Sequence, residues 1–336
     1  TLRGGRPAGI LGGTGSGAAT AAPGSTRWGA RLARIDSFLR LVAEQKASDL
    51  HFHAGDPPMI RHDGDLFRLP FRDLSEQETR RFLVEILGPE QREELDVRQE
   101  LDMVYALPEV GRFRANLFTQ NRGLGAVFRI IPDAPPELDA LRMPPSVRAL
   151  TRLNNGLVLI TGPTGSGKTT TLAAIIQEIN RRDARHIITV EDPIEFVHTS
   201  ERSVITQRQV GLHTATFAGA LRAALRESPD VLVVGEMRDL ETVMLVIQAA
   251  ETGVLVFGTL HTNSAAKAIH RIVDMAPGEQ REHVQGVLSV LLRGVLAQHL
   301  CKHASGEGRI AAVEILLQNY AIANMIRESK VHLMEG

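Results

Sequence analysis

The sequence predicts an α/β fold in which a carboxyl-terminal domain with a mostly parallel sheet follows a smaller α+β domain. Two observations carry this. From GLVLIT at Gly156–Thr161 onward, the short apolar runs HIITV, VLVV and VLVFGTL alternate with helix-period segments. Such alternation builds parallel strands connected through covering helices. Upstream of it, Pro132, Pro135, Pro136, Pro144 and Pro145 crowd one stretch. Together they continue neither a strand nor a helix easily, so an interdomain linker is expected over residues 132–150.

In chain order, residues 1–30 read as a flexible Gly/Ala-rich segment. A helical pattern over about residues 31–46 then sets Leu32, Ile35, Leu39 and Val42 on one face and opens the first folded domain, residues 31–131. ASDLHFHAG and MIRHDGDLFRL alternate like strands around PP and DG turns. Ser75 with Glu78 forms a capping box for a helix running to Ile86. GRFRANLFTQNRGLGAVFRII reads as two strands around Asn121, Arg122 and Gly123. The second domain is expected over residues 151–336.

Composition narrows the function classes. The 336 residues are 43% hydrophobic and 23% charged, an ordinary composition with room for two cores. Lys plus Arg number 38 against 39 Asp plus Glu, for a formal charge of −1, and 4% of residues are aromatic. Neither bulk attraction to polyanions nor an aromatic-studded nucleic-acid channel is expected, so nucleic acid is not a predicted partner. Cys301 is the one cysteine, which excludes an intrachain disulfide and any cysteine-rich zinc site and fits a reducing cytoplasm. GVLSVLLRGVLAQHL, the longest apolar candidate, contains Arg293 and falls short of the roughly 18–20 residues of a membrane span, so no direct membrane insertion is expected. The first residue is Thr1, so the true start is expected to be missing, and the opening lacks the order of a signal peptide.

Two phrases look alike, LGGTGSGAATAA from Leu11 and TGPTGSGKTTTLAA from Thr161. Gripping a nucleotide triphosphate needs N–H groups turned toward phosphates, glycines that permit the turn and a cation. Gly162, Pro163, Thr164, Gly165, Ser166, Gly167, Lys168, Thr169 and Thr170 meet this, with Lys168 as the cation and the Thr169 hydroxyl suited to Mg²⁺. The second phrase also joins an apolar strand to a helix with Leu172, Ile175, Ile176 and Ile179 on one face. The first has Ala18 in place of lysine and no strand before it. ATP and Mg²⁺ are the expected cofactors.

Acids follow at other strand ends. VLVV leads to Gly235 and Glu236, with glycine where an aspartate usually stands, which leaves Glu236 as the candidate to act on Mg²⁺ or water. EDPIEF holds Glu191, Asp192 and Glu195, one of which is expected to orient or deprotonate water; the alternative is three solvated loop acids. GTLHT puts His261 where the γ-phosphate is sensed, although it is one of 12 histidines. Arg112, Arg114, Arg122 and Arg129 lie on or near the first domain's strands, where spacing alone reads them as exposed strand arginines.

Taken together, ASDLHFHAGDPPMIRHDGD, GPTGSGKTTTLAA, ITVEDPIEFVH, LRESPDVLVVGEMRDLET, AAETGVLVFGTLHTNSAAKAIHRIVD and AIANMIRESKV resemble the type IV pilus retraction (twitching motility) ATPases of the secretion ATPase superfamily. The resemblance runs from about Ile35 to Val331. It implies a PAS-like first domain, a RecA-like second domain, and a homohexamer working at the cytoplasmic face of the inner membrane on a pilus platform protein. It assigns Glu195 to the Asp box, Glu236 to Walker B, His261 to the His box and the paired interdomain arginines to Arg114 and Arg129. AIANMIRE carries Ala323 where the family has arginine, and Gly336 stops short of the family's last helices. Pilus extension ATPases, type II secretion ATPases and accessory retraction paralogues are the nearest alternatives. The first two usually carry a four-cysteine zinc module, which one cysteine cannot build. A nucleic-acid translocase and a nucleotide-gated scaffold without turnover are the readings from other classes.

Overall fold

The computed structural model describes residues 33–131, 134–305 and 308–335. The Gly/Ala-rich opening with its LGGTGSGAATAA phrase, Leu32 and Pro132 lie outside the described residues.

Helix α1 (Asp36–Glu44) buries Leu39 and Val42, with Ile35 buried just before it, so the expected apolar face forms on a helix shorter than the pattern suggested. Strands β1 (Asp49–His53), β2 (Met59–His62) and β3 (Asp65–Arg68) run antiparallel. Asp63 and Gly64, with φ of 48° and 98°, make the two-residue turn between β2 and β3, whose twist matches the flanking strands. Helix α2 (Glu76–Val84) starts at the capping box: Ser75 Oγ accepts the Glu78 N–H, and the Glu78 carboxylate accepts the Ser75 N–H. Helix α3 (Pro89–Arg98) and strand β4 (Glu100–Leu107) were not anticipated, since α3 buries Leu95 alone and shows no apolar stripe. Strands β5 (Gly111–Gln120) and β6 (Gly123–Ile131) pair closely around Asn121 and Arg122.

These six strands form an antiparallel sheet in the order β3-β2-β1-β6-β5-β4. Leu50, Phe52, Phe113, Leu117 and Phe128 bury one face with α1 and α2 residues, as expected of a small α+β, PAS-like unit. Alternation along the strands puts Arg112, Arg114, Asn116 and Arg129 on the other face.

Helix α4 (Pro145–Leu150) occupies the end of the expected linker. Pro145 sits in its first turn, where a missing N–H costs nothing, and Val147 and Leu150 are buried against the second sheet. The four expected strands alternate with helices, with β9 added after β8: β7 (Gly156–Thr161), α5 (Lys168–Arg182), β8 (His186–Glu191), β9 (Val204–Gln209), α6 (Phe217–Ala224), β10 (Val231–Val234), α7 (Leu240–Glu251), β11 (Leu255–Thr259), α8 (Ala265–Met275) and α9 (Gly278–Leu291). Strands β12 (Leu292–Lys302) and β13 (Arg309–Leu317) and helix α10 (Tyr320–Arg327) follow, with a 3₁₀ turn at Val331–Glu335. The long apolar run from Gly286 is thus divided between α9 and β12. Among the described residues no helix is long and apolar enough to cross a membrane.

The sheet order is β13-β12-β7-β11-β10-β8-β9, parallel except for β13. Counted from the P-loop strand β7, the core reads 5-1-4-3-2, a RecA-like arrangement with an added strand on each edge. One face packs α4 and α5, and the other packs α6 to α9. Leu172, Ile175, Ile176 and Ile179 are all buried on α5, at about 1.5–3 kcal/mol each. That sum rivals a domain's whole net stability, so the helix that begins at Lys168 is firmly seated.

Candidate active site

The carboxyl ends of β7, β8, β10 and β11 open on the same edge of the sheet, where open α/β sheets bind ligands. The loop after β7 turns through Gly162, Gly165 and Gly167, with φ of 146°, 77° and 86°. Two of these glycines are also required by space. A Cβ on Gly162 would lie 2.3 Å from the Gln298 carbonyl, and one on Gly167 would lie 2.8 Å from Gln298 Nε2. Lys168 folds back over the loop, donating from Nζ to the Gly162 and Pro163 carbonyls at 2.7 and 3.0 Å. Burial pulls its pKa below the ordinary value, and the nearby Glu236 and Glu195 carboxylates oppose that shift.

Thr169, Glu191, Asp192, Glu195 and Glu236 line one cavity of about 70 Å³. The Asp box and the end of β10 therefore meet below the P-loop helix. Within that cavity the three EDPIEF acids are not equivalent. Glu191 is held by Thr189 Oγ1 at 2.6 Å and Gln207 Nε2 at 3.1 Å, and burial pushes its pKa up. Glu236 faces Arg238 Nη2 at 2.7 Å and His261 Nε2 at 3.0 Å. The Arg238 hydrogen bond, aided by the charges of His261, Arg238 and Lys168 and opposed by burial, holds the Glu236 carboxyl below the usual range.

Gly235 explains the shifted acid. Its N–H donates to the Val190 carbonyl at 2.8 Å, and a Cβ there would meet that oxygen at 3.1 Å and the Glu191 Cα at 3.2 Å. A side chain at 235 would press on β8, so the first carboxylate beyond the strand is Glu236. Thr161 Oγ1 ties the end of β7 to the His261 segment, donating to the Thr262 carbonyl at 2.7 Å and accepting its N–H at 2.9 Å.

For Mg²⁺ the donor set fits: the Thr169 hydroxyl and Glu236 carboxylate are hard oxygen donors on one cavity, and this ion is held by one or two side chains together with substrate phosphates.

The arginines separate. Arg114 and Arg129 stand directly opposite each other on β5 and β6. Arg129 Nε pairs with the buried Asp49 at 2.7 Å, and Arg114 lies 4.0 Å from Asp102, both partners being in the same sheet. Arg112 instead crosses between the domains, donating from Nη2 to the Glu195 carbonyl at 2.9 Å. Sequence reasoning singled out neither Arg112 for this contact nor Arg238, His198 or Gln298. Arg238 stood two residues from a candidate acid, whereas Gln298 left no local signal.

The family model for type II/IV secretion system proteins matches residues 31–332. This chain belongs to that family. As a secretion system protein it is 49% identical over 300 residues to the type IV pilus retraction ATPase PilT of Pseudomonas aeruginosa, covering 89% of this chain and 87% of that protein. It is 47% identical over 297 residues to the twitching motility protein of Neisseria gonorrhoeae, covering 88% and 79%. Among solved structures, the pilus retraction motor PilT with bound ADP superposes with a TM-score of 0.83 at 46% identity, covering 91% of this chain and 89% of the other. In the AIANMIRE segment of this secretion system protein, Ala323 is buried on α10 while Arg327 is exposed at its end.

Proposed function

We propose that this protein is an ATP-hydrolysing motor that drives type IV pilus retraction, acting as a homohexamer on an inner-membrane pilus platform protein at the cytoplasmic face. The observation that carries the reading is the convergence of Thr169, Glu195 and Glu236 on one cavity under a complete phosphate loop. Hydrolysis of a γ-phosphate asks for positioning and charge stabilisation more than covalent chemistry. Lys168 leaves the Gly162 and Pro163 carbonyls for the outer phosphates, and the loop N–H groups cradle the inner ones. Glu195 orients the attacking water and takes its proton. His261 holds Glu236 and reports on the γ-phosphate through it. Thr169 and Glu236 would hold Mg²⁺, which when bound neutralises charge on the phosphates.

Arg114 and Arg129 complete the site in trans. Both are partly exposed, on a face their own domain leaves uncovered, and a neighbour's arginine can stabilise charge on a transferring phosphoryl group. The likeness to a retraction ATPase, a twitching motility protein and an ADP-bound retraction motor supports both the activity and its direction. Two experiments test it. Purified protein should release phosphate from ATP, and Lys168→Ala should lose binding and turnover with its apo melting temperature unchanged; wild-type affinity in that variant removes the phosphate-loop assignment. Deletion in the source cell should leave surface pili in excess and abolish surface motility, and normal motility there removes the retraction role.

A further inference from the structure

Gln298 lies on β12, 2% exposed, with both ends of its amide in use. Its Nε2 donates to the Ser166 carbonyl at 2.7 Å, and its Oε1 accepts from Thr171 Oγ1 at 2.9 Å on the first turn of α5. The parallel register of β12 with β7 sets Ala297 beside Thr161, so Gln298 falls behind the start of the phosphate loop, and its own carbonyl is what excludes a side chain at Gly162. One residue from a distant strand therefore touches the beginning, the end and the following helix of the loop.

In a trans peptide the C=O and the next N–H point to opposite sides. Drawing the Ser166 carbonyl backward onto Gln298 turns the Gly167 N–H forward, to the side from which a phosphate would approach. Gly167 has a φ of 86°, where little but its neighbours fixes the peptide's orientation. The Ser166 carbonyl can only accept, so it fixes the Nε2 end of the amide toward the loop, and the Thr171 hydroxyl then donates to the Oε1 at the other end.

We propose that Gln298 is a positioning residue for nucleotide binding, which aims the Ser166–Gly167 peptide at the phosphates by holding its carbonyl from behind. The proposal rests on the reading of Gly162 to Thr169 as the nucleotide site. Gln298→Met keeps length and removes both hydrogen bonds, and Thr171→Val removes the hydroxyl that anchors the amide's Oε1 end. In the full-length protein, ADP and AMP affinities are measured by titration beside apo melting curves. Losing a buried, loop-orienting hydrogen bond should weaken ADP by about tenfold or more in Gln298→Met. AMP, which lacks the β-phosphate that such loops cradle, should weaken far less, so the ADP-to-AMP ratio falls. Thr171→Val should move the ratio in the same direction by a smaller factor. Unchanged ADP affinity in a folded Gln298→Met protein overturns the proposal, and so does an equal loss for AMP and ADP, which marks general loosening. Should Gln298→Met not fold, Thr171→Val decides alone, and an unchanged ratio there overturns it. Lys168→Ala, run in parallel, separates the two readings: if it abolishes ADP binding while Gln298→Met does not alter it, the site stands and only the role of Gln298 is lost.

Discussion

At the carboxyl edge of the parallel sheet, Lys168, Glu236 and His261 are already engaged with one another or with the main chain, whereas the outer face of the antiparallel sheet holds two arginines opposite each other with acids of their own sheet for company. Like charges directly across a pair of strands are destabilising. Arg114 and Arg129 remain 43% and 63% exposed in their side chains, so neither is buried by the fold that bears them. One region is organised by a single chain around a phosphate loop; the other holds two paired arginines that its own chain leaves largely in solvent. The contrast teaches that half of the proposed catalytic apparatus is local and half depends on an encounter.

The largest expected effect breaks this contrast directly. Arg114→Ala or Arg129→Ala should keep ATP binding and lose turnover by a factor within the roughly 10³–10⁵ of an arginine finger, or less if the two share the load. Mixing either variant with Lys168→Ala protein should recover part of the activity in phosphate-release assays, because a mixed ring joins an intact loop to an intact neighbour. Full activity in the single variants, or no recovery in demonstrated mixed rings, counts against catalysis in trans.

Next in size, Glu195→Gln and Glu236→Gln should bind ATP and hydrolyse it about 10²-fold or more slowly, the scale of general acid–base contributions. Arg238→Gln sharpens the assignment. Arg238 holds the Glu236 carboxyl below its ordinary range, so the parental carboxylate stays ionised as pH falls. Without that partner the acidic limb of the kcat–pH profile should move to higher pH, and an unmoved limb would show that Glu236 does not govern it.

A smaller effect concerns stability. His198 lies in the nucleotide domain beside the Asp box, and burial lowers its pKa from 6.5 to about 4. Its folded form stays neutral while the unfolded chain takes up a proton, so its contribution is complete above about 6.5 and is lost as pH falls toward about 4. His198→Gln should flatten the fall in melting temperature over that window, and a curve parallel to the parent's would exclude His198 as the cause. The smallest expected effect is none: Gly15→Ala, in the upstream phrase without a lysine, should leave the ATPase rate at the parental value.

Local chemistry decided what could be read from the sequence. The phosphate loop, β7 and α5 announce themselves because their glycines, apolar run and helical face lie within a short window, and the Ser75–Glu78 box is likewise complete in four residues. Strand β12 was hidden because α9 passes into it directly between Leu291 and Leu292, with Gly294 inside the strand and not at the change, so periodicity saw one apolar run. Strand β9 was hidden for the opposite reason: VITQRQ is a polar edge strand with none of its residues fully buried. Gln298 and Arg112 act across 132 and 83 residues of chain, and no spacing rule reaches that far. Resemblance alone singles out Arg114 and Arg129, which spacing reads as exposed strand arginines, and the register sets them face to face.

The Arg112 hydrogen bond to the Glu195 carbonyl joins an arginine of the first sheet to the backbone of the acidic loop in the second domain. Such a joint is reciprocal, since a coupling free energy between two sites is the same whichever is perturbed first. If nucleotide displaces the acidic loop, the displacement should pull on the antiparallel sheet through this bond, and a load that swings that sheet should then change nucleotide affinity. In the proposed hexamer, a stalled ring should hold its nucleotide with a different strength from a freely turning one, with this bond among the transmitters.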